Sequence, residues 1–414
     1  MRLNETWTPE VIQKIRAYSE TGNYAVKCFG ARRKVAHFED LVFVQANVTR
    51  LAIEQYREPC STKTILGHRY CKKPLELDLP VVIAAMSFGA LSKNAKIALA
   101  KGSAMAGSAA STGEGGMLPE ERENAKNLFY QCTPSRFGFS PHSLQQADVI
   151  EILLSQGAKP GVGGHLMGKK VTDEISKIRG IPKGFDLRSP SRHPDVLGAD
   201  DLVLKVEELR EAMDSRIPVS VKQSAGRVRE DVKLAVKVKA DIIALDGFQG
   251  GTGGTPELTQ DNLGIPTIAA IPAAYETLRE LKVDEDVDIL AMGGIRGGAD
   301  VAKALALGAK CCAIGTAAMV ALGCVGCMRC HTGLCPKGIA TQDPALVANL
   351  DIDEGAEKVA NLLRAIKVEL EMITRACGKT NCHNLEFEDL RAITLEAAAM
   401  TGVPMVGPAS KVEK

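Results

Sequence analysis

Asp288-Ile289-Leu290-Ala291-Met292-Gly293-Gly294-Ile295-Arg296 and, one helix further on, Cys311-Cys312-Ala313-Ile314-Gly315-Thr316 decide the fold. Each is a continuous apolar run cut off by glycine. A strand with one wet face alternates apolar and polar residues; an unbroken run belongs to a strand covered on both faces, as parallel strands are. Largely apolar runs recur outward from this pair, at residues 218–222 and 241–246 and, further upstream, at 80–86, 128–132 and 149–154, with a short run of small residues at 108–111. Helical stretches lie between the runs, the first over about 93–106. Eight strands in strand–helix alternation predict an α/β fold, a (β/α)8 TIM barrel, ahead of a doubly wound sheet.

Segments outside the repeat set the domain plan. Residues 1–78 read as an N-terminal extension packing on the barrel, and 79–323 as the barrel itself. Residues 324–342 form a cysteine loop, and 343–414 a C-terminal helical region with helices over about 354–376 and 385–400. A long stretch rich in Gly, Pro, Ser and Arg, 161–198, interrupts the barrel after its fourth strand, and insertions of that length are usually functional loops.

Lys plus Arg is 51 against 50 Asp plus Glu, a formal net charge of +1. That balance argues against nucleic acid or an anionic membrane as partner. The opening Met1-Arg2-Leu3-Asn4-Glu5-Thr6-Trp7 has no apolar signal core, and no apolar run approaches a membrane span, so a cytoplasmic protein is expected. Twelve cysteines in such a protein need a use other than disulfides, and five of them fall between Cys312 and Cys335.

Active sites of these barrels lie at the C-terminal strand ends, and phosphates commonly sit on the loops after strands seven and eight. Gly293-Gly294 and Gly315-Thr316 occupy those two places, where glycine lets backbone N–H groups approach an anion. Polar groups follow the other strands: Ser87 the first, Glu114 the second, Gln131 the third, Gln156 and Lys159 the fourth, Lys222 the fifth, Asp246 and Gln249 the sixth. Lys222 is the cation expected to meet an anionic substrate, because its strand fixes it. Lys159, on a long loop, reads as a gate or a structural contact. The cysteine loop runs Cys324-x2-Cys327-x2-Cys330-x4-Cys335-Pro336. This is close to the ferredoxin spacing, while zinc sites pair their ligands across a longer gap, so the spacing favours an iron–sulfur cluster. Cys377 and Cys382 read as helix-terminus cysteines beside a surface histidine, His383.

These residues, in order, resemble the FMN-binding synthase domain of the glutamate synthase family. The motifs are Ala85-Met86-Ser87-Phe88-Gly89-Ala90-Leu91-Ser92, Ser111-Thr112-Gly113-Glu114-Gly115-Gly116, Gly157-Ala158-Lys159-Pro160-Gly161, Val221-Lys222, the glycines from Gly250 on, Gly293-Gly294 and the cysteine loop through Gln342. The resemblance implies an FMN barrel that reduces 2-iminoglutarate, formed from 2-oxoglutarate and ammonia, to L-glutamate. It implies electrons passing through an iron–sulfur cluster from a donor protein or reductase. Met86 and Ser87 would lie beside the flavin, with Gln131 among the cofactor-binding residues. Glu114 and Lys222 would stand at flavin and substrate, and the Gly293-Gly294 and Gly315-Thr316 loops at the phosphate. Cys324, Cys330 and Cys335 match the family's ligands for a 3Fe–4S cluster, and the extra Cys327 opens a 4Fe–4S alternative. Val162 and His165 depart from the family's usual Glu and Gln. The family's glutaminase and β-helix domains are absent from this sequence, so separate glutaminase-like and β-helix-like subunits in a hetero-oligomer are expected. The same domain serves complexes making N-methylglutamate from methylamine and glutamate, the alternative reading; a third is a non-catalytic electron-transfer scaffold.

Overall fold

A computed structural model describes residues 6–407; the opening Met1–Glu5 and the tail beyond Gly407 lie outside the described residues. Its central feature is one parallel sheet of eight strands: β1 (Val81–Ile83), β2 (Ala110–Ser111), β3 (Leu128–Cys132), β4 (Val149–Leu153), β5 (Val219–Ser224), β6 (Ile242–Asp246), β7 (Asp288–Met292) and β8 (Cys311–Ile314). Every strand pairs with its sequence neighbour from β2 to β8, and β8 returns to β1. The seam between β1 and β2 is closed by Ile83 N–H donating to the Ala109 carbonyl at 2.9 Å. The sheet is therefore a barrel, as the uninterrupted runs imply.

The ring of helices is α1 (Lys93–Met105), α2 (Pro119–Asn124), α3 (Pro141–Gln145), α4 (Ala199–Ala212), α5 (Val228–Lys237), α6 (Thr267–Glu280), α7 (Gly298–Ala306) and α8 (Ile352–Ala376). Alternation along each strand sends one set of side chains to these helices and the other inward. Ile150, Ile152, Val219, Val221, Ile289 and Ile314 join the outer core. Val82, Phe129, Val149, Ile242, Leu290 and Cys311 fill the barrel. The same two-residue period aims Gln131, Glu151, Lys222 and Asp246 inward at the C-terminal end. The helix expected in the C-terminal region is α8, which packs between α7 and α1 and completes the ring. Gly102 of α1 makes that contact: a Cβ there would stand 2.6 Å from the Ala356 carbonyl oxygen of α8.

The extension before β1 is threaded through the molecule. A hairpin, Thr64–Leu66 with Leu75–Leu77, inserts Leu66, Leu75 and Leu77 into the inner cluster and plugs the N-terminal barrel mouth. Asp288 accepts from Gly67 N–H at 2.6 Å and Asp241 from Tyr70 N–H at 2.8 Å, tying the plug to β7 and β6. Val26–Lys27 pairs with Thr255–Pro256 at the opposite mouth, and Leu41–Phe43 with Leu390–Ala392.

Two expectations are corrected. The helix expected over 385–400 is a 3-10 turn (Phe387–Asp389), the strand Leu390–Ala392 and a short helix (Leu395–Thr401) capped by Thr394. Pairing with Leu41–Phe43, some 350 residues upstream in sequence, overrides the local helical pattern. His383 is half-buried rather than a free surface side chain: its Nε2 meets the Thr64 hydroxyl at 2.9 Å, and burial pulls its pKa down to about 4. Cys377 and Cys382 beside it are buried. Among the described residues no helix is long and apolar enough to cross a membrane.

Candidate active site

A cavity of about 1390 Å³ opens at the C-terminal ends of the barrel strands. Met86, Ser87, Glu114, Gln131 and Lys222 all line it, as do Gly293, Gly294, Gly315 and Thr316. The structure thus brings every expected flavin, phosphate and substrate residue to one chamber. Cys330 and His331 also reach its wall.

Close backbone approach shapes the rim. A Cβ on Gly113 (φ +66) would strike Ser87 N at 2.5 Å, so the β1 and β2 ends can meet only through glycine. Gly293 (φ +104) and Gly294 (φ +78) turn the chain after β7. Thr267 Oγ1 donates to the Gly293 carbonyl at 2.7 Å and holds this turn against α6. Arg296, which follows, is spent on Asp300 and Glu39. The Gly298 N–H at the start of α7 is taken by Glu369 at 2.7 Å.

Charges are distributed unevenly around the chamber. Lys222 is 3% exposed and faces Asp246, whose carboxyl burial pushes up while Lys222 and the Gly157 N–H pull it down. Gln131 donates to Glu151 at 2.6 Å, so its amide is partly committed to that buried carboxylate. Glu114 Oε1 accepts from the Ser135 and Ser189 hydroxyls. Lys159 lines the chamber, and its ammonium is pulled down by burial and by Arg179, against the opposing field of Glu114. Arg179, in the inserted segment, donates to the Phe88 carbonyl at 2.6 Å and the Glu114 carbonyl at 3.2 Å.

Four lining residues hold buried polar atoms with no protein partner: His37 Nδ1, Arg179 Nε, Gln249 Nε2 and Thr255 Oγ1. Buried polar atoms are nearly always satisfied, so four orphans among the residues of one chamber stand out. The sequence did not single out Glu151, Arg179 or His37. Arg179 and His37 lie in the insertion and the extension, far in sequence from the strand ends; Glu151 is hidden inside an apolar run.

The cysteine loop leaves β8 through a short helix (Thr316–Ala321) and a 3-10 turn at Cys330–Thr332. Cys335 is buried, Cys324 and Cys330 are half-buried, and Cys327 is exposed. Cys28, also missed in sequence, is brought beneath the loop by the Val26–Lys27 strand. Its Sγ lies 3.5 Å from the Met328 carbonyl and 3.8 Å from His331 Nδ1. Of this pair Cys28 is pulled down, chiefly by a hydrogen bond from the Cys330 thiol, and Cys330 is pushed up by Cys28, burial, Cys324 and Cys335. Among the described residues no three His, Cys, Asp or Glu side chains form a single-ion site. The fit to a cluster rests on donor chemistry: four soft thiols on one short loop, one of them buried and two half-buried.

A barrel whose strand ends gather cations, a carboxylate and unsatisfied polar atoms in one chamber has the build of a (β/α)8-barrel enzyme. The chain belongs to the glutamate synthase family: the model of the conserved region in glutamate synthase matches residues 10–380. It is 46% identical to a glutamate synthase large subunit-like protein of Rhizobium meliloti, covering 98% of this chain and 96% of that one. It is 38% identical to an archaeal glutamate synthase (NADPH) of Archaeoglobus fulgidus, covering 95% of this chain and 81% of that one. Among solved structures, the flavin-binding domain of baker's yeast flavocytochrome b2 superposes with a TM-score of 0.56 at 19% identity, covering 93% of this chain and 84% of that one. A lactate oxidase of Pediococcus acidilactici gives 0.55 at 16% identity, covering 86% and 84%. At such identity these two speak for the fold alone.

Proposed function

We propose that this chain is the FMN and iron–sulfur synthase subunit of a glutamate synthase, reducing 2-iminoglutarate, formed from 2-oxoglutarate and ammonia, to L-glutamate. The observation that carries the reading is the meeting of Lys222, Lys159, Arg179 and Glu114 in one chamber with orphaned polar atoms. A dicarboxylate entering it finds two ammonium groups and a guanidinium edge. The strand fixes Lys222, so one carboxylate end is placed before the other is engaged. Glu114, held by two serine hydroxyls, is the carboxylate that can keep a proton at the imine nitrogen. FMN would be held by the glycine turns after β7 and β8, by Met86 and Ser87 and by Gln131, and would supply hydride when bound. Cys324, Cys330 and Cys335 would hold a 3Fe–4S cluster, which would supply electrons when bound.

Relatives at 37–40% identity carry the name of archaeal or archaeal-type glutamate synthases, and the Rhizobium meliloti one that of a glutamate synthase large subunit-like protein. The subunit would draw ammonia from a separate glutaminase-like subunit and electrons from a donor protein or reductase, beside a β-helix-like subunit. The test is product analysis with the purified protein, 2-oxoglutarate, ammonium and a chemical reductant. Glutamate formation by a yellow protein that releases FMN on denaturation is expected. A colourless protein that cannot be reconstituted with FMN would sink the reading. Cys327→Ser should leave iron content and the EPR signal unchanged; loss of an iron would instead make Cys327 a ligand of a 4Fe–4S cluster.

A further inference from the structure

Lys170 closes the 3-10 turn Gly168–Lys170 in the inserted segment, and it is 5% exposed. Its Nζ donates to the Ala90 carbonyl at 3.0 Å and the Cys330 carbonyl at 3.4 Å. Its stem lies on the cysteine loop, where a Cβ at Gly333 would already sit 3.4 Å from Lys170 Cγ. The charged or ionisable groups whose fields reach it are Cys330, Cys335 and Cys28, with Arg179 opposing. Among the described residues no carboxylate pairs with it.

A buried ammonium held by two carbonyls is costly unless an anion compensates it. The nearby side chains that can become anionic are thiols of the cysteine loop and Cys28, and cluster ligands are thiolates. Ala90 lies three residues beyond Ser87, so the same ammonium also spans from the proposed flavin edge to the loop.

We propose that Lys170 is the buried counter-cation of the cysteine-loop cluster and holds its reduction potential up. This rests on the cluster reading given above. Reduction adds one electron from an external reductant, and no bond to Lys170 forms or breaks. The added negative charge is stabilised by the ammonium, so removing that charge must lower the potential; net charge and burial are recognised controls of such clusters. Lys170 is thus a positioning residue for electron transfer.

The test is an EPR-monitored redox titration of the purified, iron-replete protein with Lys170→Met, Lys170→Gln and Lys170→Arg, each with iron and sulfide measured. Lys170→Met should bind wild-type iron and show at least a tenfold lower reduced-to-oxidised ratio at a fixed potential, about 59 mV for one electron. Lys170→Arg should restore much of it. Should Lys170→Met lose iron, Lys170→Gln, which keeps a donor for the two carbonyls without the charge, takes its place. An unchanged midpoint in an iron-replete neutral variant overturns the proposal, as does iron loss in all three variants. Wild-type protein without iron and sulfide would instead refute the cluster reading itself.

Discussion

Lys96 starts on the surface helix α1 and ends inside the protein. Its ammonium pairs with Glu121 at 2.7 Å and donates to the carbonyls of Met86 at 2.6 Å, Ser111 at 2.8 Å and Thr112 at 3.1 Å. Met86 lies just past β1, Ser111 ends β2 and Thr112 follows it, so one buried cation pins the turns that carry Ser87 and Glu114. Both partners are nearly inaccessible, at 2% and 1% exposure, and Glu121 Oε2 has no partner. Breaking a buried pair leaves an uncompensated charge, whereas replacing both groups by apolar ones is often tolerated. Glu121→Leu should therefore cost about 3–5 kcal/mol in unfolding free energy, read from urea melts. The double variant Lys96→Met/Glu121→Leu should recover part of that loss, the three carbonyls that Lys96 satisfies being left unpaired. A double variant as unstable as the sum of the two singles would show that the pair is not a unit. In sequence Lys96 and Glu121 look like ordinary helix-surface residues; only the folded loop ends reveal what they hold.

At the scale of elements, the barrel was legible where strands are apolar throughout. Ile289-Leu290-Ala291 and Ile242-Ile243-Ala244 read as covered strands because glycine or small residues end each run, and the structure places β7 and β6 there. β2 is two residues long and was recoverable only from its place in the alternation. The strand Leu390–Ala392 was missed because its partner is the remote Leu41–Phe43, and no local pattern reports a remote partner. The join between β7 and the plug hairpin carries a pH signature. Burial pushes the Asp288 carboxyl up to about 6 from 3.8, aided by Asp241 and opposed by the Gly67 N–H, Lys310 and His68. A carboxyl raised in the fold contributes stability that is complete below its unfolded value and is lost as pH rises through its folded value. Ionising Asp288 should thus cost roughly 3 kcal/mol between about pH 4 and pH 7. Asp288→Asn keeps an acceptor for the Gly67 N–H without a charge. Its stability relative to wild type should grow across that range, measured as urea midpoints at several pH values. A gap that stays flat with pH would show that Asp288 titrates normally.

At the scale of the whole molecule, the chamber is assembled from four separate parts of the chain, and legibility followed contiguity. The cysteine run could be read because its thiols share one short segment, and the glycine turns because they follow recognisable strands. Cys28, His37, Lys170 and Arg179 could not be read as parts of one site, since the extension and the insertion bring them there from opposite directions. His37 shows that the extension is more than packing. Its Nε2 meets the Gly294 carbonyl at 3.1 Å, so the ring donates there, and burial pulls its pKa below the usual value. A Cβ on Gly294 would sit 3.0 Å from that nitrogen, so the imidazole lies directly against the second glycine of the proposed phosphate turn. Its Nδ1, buried and unpartnered, belongs to a residue of the chamber wall. His37→Leu keeps much of the bulk and removes the bond. One hydrogen bond is worth about 1 kcal/mol, so FMN affinity should fall about fivefold in a fluorescence titration of the apoprotein. The urea midpoint of the FMN-free protein should move little, because the extension remains anchored by Phe38, Leu41 and the plug hairpin. Unchanged FMN affinity in a folded His37→Leu variant would mean that the extension covers the barrel without shaping its site.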